Sequence, residues 1–351
     1  MAHRKIWIRI LLAVVLLSPV STTTAQHERA EEEKFNPGTF ILDHIGDVYE
    51  WHILTFNGHH VSVPLPVILY SKQSGFHAFM SGSFHHGGHA GFSIPVDGTY
   101  KGKIVETATG ERPALDLSIT KNVLAIFVSM TIILWVFLSV AKAYKRRRKQ
   151  APKGLQSLIE PVILFVRDDV ARPAIGHGYE RFMPYLLTIF FFILVNNLMG
   201  LIPFFPFGAN VTGNIAVTMV LALLTFFITT FSANKNYWIH IVNTPGVPWW
   251  LKFPLPLMPF IELVGMLTKP LVLMIRLFAN ISAGHIIAIG FFSLIFIFGG
   301  MNVGMGFGAS VISVIFTVFM SLLELLVAFI QAYVFTLLSA IYFGMAVEEH
   351  H

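Results

Sequence analysis

Apolar residues in this chain gather into a few long runs separated by short polar turns, and the lengths of those runs predict its elements. Arg4, Lys5 and Arg9 precede a short apolar run, LLAVVLL, which is followed by the small-residue stretch SPVSTTTAQ. That order predicts a signal peptide over residues 1–25, cut after Ala25. Residues 26–120 are polar and rich in Gly and His, and runs such as HHVSVPLPVILY and GTYKGKIVET predict strands of a small exported β-rich region. Residues 121–351 then read as a membrane domain. Its first span, about 122–144, ends at the basic cluster Lys145 to Lys149, which by the positive-inside rule places that end on the cytoplasmic side.

Between 152 and 172, apolar positions (Leu155, Leu158, Ile159, Val162, Ile163, Val166) alternate with Glu160, Arg167, Asp168, Asp169 and Arg172, the pattern of an amphipathic helix lying on the cytoplasmic surface. Apolar stretches of 182–202 and 212–233, joined by PFFPFGAN, predict a helical hairpin. Lys235 and Lys252 bring the chain back to the positive side. Two longer stretches, 256–298 and 307–346, follow, separated by GGMNVGMG. A helix of about 40 residues is about 60 Å long, twice the hydrocarbon thickness. Neither stretch has a polar turn at its middle, so each is expected to be one tilted helix. The fold class is therefore an all-α polytopic membrane protein with five crossing helices, an exported N-terminus and a cytoplasmic C-terminus.

Composition agrees with this class. Of 351 residues 55% are hydrophobic and only 12% charged, and mean hydropathy is +0.68. The net charge of +5 comes from Lys and Arg beside apolar segments, not from a stripe with interleaved aromatics, which argues against nucleic acid as a partner. The absence of cysteine excludes disulfides, thiol catalysis and iron–sulfur clusters. His85, His86 and His89 have a spacing that suits a metal, but no carboxylate or thiol accompanies them, so surface decoration is the preferred account and no cofactor is assigned.

Ionisable groups inside a bilayer cost from about 2.5 to more than 10 kcal/mol for a central Arg, so each one needs a reason. The last two helices carry Glu262, Lys269, Arg276, His285 and Glu324. At 100° per residue, Glu262, Gly265, Lys269, Arg276, Asn280 and Ala283 share one narrow stripe, and His285 projects on the opposite side. Ser310, Ser313, Thr317, Ser321, Glu324 and Gln331 form a polar line on the last helix, while Asn196, Asn197, Asn214, Thr218, Thr225 and Thr229 line the hairpin. Such hydroxyls and amides either hold a file of water or satisfy helix backbone. Lys269, beside Pro270, is expected to snorkel to the interface; Glu262 is either its partner or part of an aqueous lining; His285 and Glu324 are either a buried pair or members of a path. Arg276 stays charged at any physiological pH and has no carboxylate within one turn, so its partner must come from elsewhere.

TKPLVLMIRLFANISAGH (Thr268 to His285) and LLELLVAFIQAYVFTLLSAIYF (Leu322 to Phe343) resemble the signature segments of subunit a of F-type ATP synthases, and NNLMGLIPF and GMAVEEH look like the same family. The resemblance covers about residues 120–350 and leaves 26–120 outside it. It implies a proton-translocating stator subunit, not catalytic alone, in a bacterial inner membrane. Its partners would be a ring of c subunits, the b-subunit peripheral stalk, the other synthase subunits and lipid. Arg276 would be the essential arginine facing the ring carboxylates. Asn197, Asn214, His285, Glu324 and Gln331 would belong to an outer half-channel, Glu262 and Thr268 to an inner one, and Asn280 would support Arg276. Gly200 stands where some members carry an acid, and His285 and Glu324 hold their two residue types in the mitochondrial order. The competing class is a secondary transporter, which should show an internal repeat; the two long segments differ in polar pattern. No nucleophile–base set or phosphate loop suggests a free-standing enzyme.

Overall fold

The computed structural model describes Gly38 and residues 46–56, 59–95, 97–146, 151–202, 207–242 and 257–348. The expected signal peptide, most of the basic cluster after Arg146 and the last three residues lie outside the described residues. The rest forms two compact units, Asp47–Leu124 and the residues from Ala125 onward.

In the first unit, β1 (Glu50–Phe56) and β2 (His59–Pro64) form an antiparallel hairpin. β3 (Pro66–Ser71) and β4 (Gly75–Met80) form a second, joined by a three-residue loop. Gly75 takes the left-handed conformation that such a loop requires at its end (φ 81°), and the Ser71 hydroxyl accepts from the Gln73 and Ser74 amides inside it. HHVSVPLPVILY thus holds two strands, because Pro64 and Pro66 bracket Leu65, whose N–H donates to the Ser81 hydroxyl and not to a neighbouring strand. β5 (Phe92–Ser93) pairs with β6 (Val105–Glu106), the only strand that GTYKGKIVET supplies, since its glycines put the remainder into turns. β7 (Leu115–Asp116) adds to β3, giving the order β4-β3-β7. The inward face of this sheet, Val67 and Leu69, packs on Tyr49, Phe92 and Ile104.

The buried Tyr49 hydroxyl donates to Asp116 at 2.6 Å, and Arg112 approaches the same carboxylate at 3.2 Å. Burial pushes the Asp116 carboxyl upward, but hydrogen bonds from Ser118 and Tyr49, aided by Arg112, outweigh it and hold the group below its usual pKa. A lowered folded-state pKa contributes stability that is present above the ordinary carboxylate range, near pH ~4, and lost as pH falls through the lower folded value. Resistance of this unit to proteolysis, followed on the full chain in detergent, is therefore expected to weaken below that range. Asp116→Asn should flatten the dependence; an unchanged acid profile in that variant would refute the assignment.

In the second unit the helices follow the apolar runs. α1 (Lys121–Arg146) begins in the first unit and continues here, where Phe137 meets Phe191 edge to face. The stretch expected to be amphipathic is helical from α2 (Leu155–Phe165), through one wider π-wound segment at Val166–Ala171, to α3 (Arg172–Ile175). Its Val166, Val170, Ala171 and Ile175 are buried, while Leu155 and Leu158 are exposed. α4 (Met183–Leu201) and α5 (Ile215–Ser232) form the hairpin, and a short helix that the hydrophobic pattern did not predict, α6 (Lys235–Val242), follows.

α7 (Leu257–Met301) and α8 (Val303–Val347) are continuous 45-residue helices, with Pro270 inside α7. Among the described residues, five helices are long and apolar enough to cross a membrane. The expected eight-residue separator GGMNVGMG shrinks to Asn302, whose side chain accepts from the Gly304 amide at 2.8 Å. Gly306 permits the tight turn, because a Cβ there would lie 2.7 Å from the Gly299 Cα. Of the glycines read as a linker, Gly306 is instead buried at the contact between the two helices, against Gly299.

Candidate functional site

Antiparallel packing of α7 on α8 sets the register of the site. Phe291 stacks on Phe316 at 5.0 Å, His285 Nδ1 lies 2.5 Å from Glu324 Oε1, and the Lys269 ammonium sits 5.5 Å above the Tyr342 ring. Continuing that register puts Arg276 within about one helical turn of Gln331. Along α7, Arg276 is fourteen residues from Glu262 and nine from His285, or about 21 Å and about 14 Å.

Near one end of this axis a small cavity gathers Asn197, Asn210, Thr212, His285 and Glu324 under Gly200. Asn197 is fixed on both sides: its amide donates to the Ala328 carbonyl at 3.3 Å, and its oxygen accepts from the Thr212 hydroxyl. The Asn196 oxygen and the Asn210 amide nitrogen are buried without a protein partner, so this cavity has unsatisfied acceptor and donor groups that suit water. A Cβ at Gly284 would lie 2.8 Å from Glu324 Oε1, so glycine there makes the space that the carboxylate occupies. A Cβ at Gly200 would lie 3.7 Å from His285 Nε2. An acid at Gly200 would thus meet the imidazole nitrogen that does not face Glu324, which gives the departure from the common pattern a definite geometric meaning.

Toward the other end, α6 meets α7 and the end of α8 around a second cavity lined by Tyr237, His240, Glu262, Lys269 and Glu348. Burial, and then the Glu262 carboxylate, raise the pKa of the Tyr237 phenol, keeping it a neutral hydroxyl. Lys269 is half-buried, lies over the Tyr342 ring and faces this cavity.

Arg276 lies between the two cavities along α7. It is exposed, and it makes no hydrogen bond or ion pair with the described residues. Asn280 and Ala283 are exposed on the same side, and Asn280 makes no hydrogen bond to Arg276. Gln331 is buried on α8.

Several expected members are engaged elsewhere. Asn214 caps α5 by accepting from the Ala216 amide at 3.0 Å and does not line the cavity; Asn210 and Thr212, in the preceding turn, do. The Thr268 hydroxyl donates to the Gly265 carbonyl. On the hairpin, Thr218, Thr225 and Thr229 donate to carbonyls one turn earlier, and Thr225 also meets Tyr185 and Ser339. On α8, Ser310 and Ser321 likewise bond their own backbone. These hydroxyls bond to their own helix backbone, as short side chains in membrane helices commonly do, and only Thr225 of this set also reaches neighbouring helices, whereas the Thr317 hydroxyl is buried without a partner among the described residues. In the first unit His89 packs edge-on to Phe79 and His77 to Phe92, and no metal-holding cluster occurs among the described residues.

The family model for the ATP synthase A chain matches residues 123–344, which include Arg276, the first cavity and all of the named lining of the second except Glu348. The chain belongs to the ATP synthase A chain family. It is 45% identical to ATP synthase subunit a of Chloroherpeton thalassium over 256 residues, covering 70% of this chain and 72% of that one. Against ATP synthase subunit a 2 of Chlorobaculum tepidum it is 49% identical over 243 residues, 67% of this chain and 65% of that one. The corresponding protein of Myxococcus xanthus is 41% identical over 249 residues, 68% and 75%. Residues 40–124 match a separate family model, a domain of unknown function, so this chain carries a further unit ahead of the part that matches the ATP synthase A chain model.

Proposed function

We infer that this multi-pass membrane protein is the proton-translocating stator subunit of an F-type ATP synthase, and propose that Arg276 separates two half-channels that meet a rotating ring of c subunits. The observation that carries the reading is an exposed, always-charged guanidinium on a membrane-length helix, between two polar cavities at different depths. Its counter-anion must then arrive on another chain, and ring carboxylates passing one at a time meet that need.

In this scheme the His285, Glu324, Asn197 and Asn210 cavity serves the outer side and the Glu262, Tyr237 and His240 cavity the inner side. A ring carboxyl nearing Arg276 loses its proton because a nearby cation favours the ionised form. Once it has passed and been reprotonated, it has no such attraction and moves on through lipid. The fixed charge repels a proton crossing directly between cavities, so conduction requires rotation. His285 and Glu324 form an acid–base pair able to hand a proton between carboxylate and imidazole, while Gln331 and Asn280 lie near Arg276 without adding charge. ATP chemistry belongs to the other subunits, and a peripheral stalk of b subunits would hold this chain still against the ring in the inner membrane.

Purification of the protein from its native membrane in mild detergent tests the reading. Co-isolation of a ring of small subunits and of stalk helices is the expected result. Recovery as an independent oligomer that transports ions without them would favour a secondary transporter.

A further inference from the structure

The outward face of the β4-β3-β7 sheet is apolar on every strand. Phe76, Ala78 and Met80 on β4 are exposed, Tyr70 is exposed on β3 beside half-buried Ile68 and Pro66, and Leu115 and Leu117 are exposed along β7 and its extension. Register makes these one surface. Tyr70 lies opposite both Phe76 and Leu115, Ile68 lies opposite Ala78 and accepts from the Leu117 amide, and Pro66 lies opposite Met80 and accepts from the Ile119 amide. Phe76 is 67% exposed, Leu117 60%, and Tyr70 and Leu115 each 49%. A sheet with one face in water normally alternates apolar inward and polar outward, and this one does not. Neither the proton path nor the stability of the unit accounts for that.

The same strand leads directly into a membrane-length helix. Leu117 is four residues from Lys121, where α1 begins, so at most about 14 Å of chain separates them. The start of α1 is bound into the β unit. Asp47 accepts from the Asn122 amide and the Thr120 hydroxyl, the Lys121 amide donates to the Val48 carbonyl, and the Lys121 ammonium lies 5.9 Å over the Trp51 ring. The β unit is thereby fastened to the first turn of a helix whose exposed residues further on, Phe127, Leu134, Trp135 and Leu138, suit lipid. A surface so tethered is held within reach of the bilayer interface, where a Tyr hydroxyl stays wet while Phe, Leu and Met side chains enter the acyl boundary.

We propose that this sheet face rests on the lipid bilayer, making the β unit a membrane-surface foot that steadies the end of α1. The chain has no cysteine, so single labels are clean. Nitroxide labels on Phe76→Cys and Leu115→Cys, with Glu111→Cys as an exposed control, would be placed on the full chain in vesicles of phosphatidylcholine and phosphatidylglycerol. Collision with lipid-soluble oxygen, relative to a water-soluble nickel chelate, is expected to be several-fold higher at Phe76 and Leu115 than at Glu111. Two labels on different strands guard against a local disturbance at either. Ratios equal to the control would mean a water-facing sheet, and shielding from both reagents would mean a protein cover such as a second copy; either result overturns the proposal.

Discussion

Replacing Arg276 by Ala is expected to reduce gradient-driven ATP synthesis and ATP-driven proton pumping in membrane vesicles to background, whereas Gln331→Ala should slow both by a smaller factor. The difference follows from what each group does. Removing a preorganised charge or donor at a reacting centre commonly costs about two to three orders of magnitude, and in the proposed scheme Arg276 is the charge that makes deprotonation of a passing carboxyl favourable. Gln331 is buried about one turn away across the hairpin and contributes only a dipole. Arg276→Lys keeps the charge but loses the planar fork, so it should fall between them. The measurement is the rate of each activity, normalised to the amount of subunit in the membrane. Equal losses for Arg276→Ala and Gln331→Ala at equal abundance would rule out a special role for the guanidinium.

Gly344→Ala is expected to act on assembly instead of chemistry. Gly344 is buried on α8, and a Cβ there would overlap the carbonyl oxygen of Ala174 in α3. Backbone meets backbone at this crossing, so no side chain can rotate away and the helices would have to part. Phe343, stacked on Phe182 at 4.8 Å, and the fully buried Ala346 would lose their packing with it. Overpacking of this kind costs about 1–3 kcal/mol when side chains can yield, and a backbone clash belongs at or above the upper end. A marked drop in membrane-inserted subunit, measured by immunoblot, is the expected outcome. Gly290→Ala is the comparison, since nothing lies within 4 Å of a Cβ there. If both variants accumulate equally, the close approach of α8 to α3 is wrong.

The membrane helices were legible because runs of apolar residues leave few alternatives in a bilayer, and the observed ends of α4, α5, α7 and α8 lie close to those the pattern predicts. Arg276 stands out as a candidate for the same reason, since a permanent charge in such a run needs a partner. Less could be read where polar groups had two uses. Thr218, Thr225, Thr229, Ser310 and Ser321 fall on regular helical spacing whether they hold water or bond to their own backbone, and periodicity cannot separate the two. Asn214 illustrates the same ambiguity, since an Asn preceding an apolar run is also a helix cap. Asn210, Thr212, Tyr237 and His240 were missed because they reach the cavities from a turn and a short helix, through tertiary packing that no local pattern encodes. Of the first unit, sequence disclosed strands but neither the pairing of β7 with β3 nor the apolar outer face, which depends on that pairing.

Pro270 carries a consequence for the stretch of α7 between Glu262 and Arg276. A ring nitrogen has no hydrogen to give, so the oxygen of Met266, one turn back, loses its usual helical donor. Met266 borders the space beside Tyr237 and Lys269 as well as the neighbouring gap toward Tyr342. The main chain itself thereby holds an acceptor without its usual helical donor at this level of α7, one that never ionises and that no change of side chain at position 266 would remove.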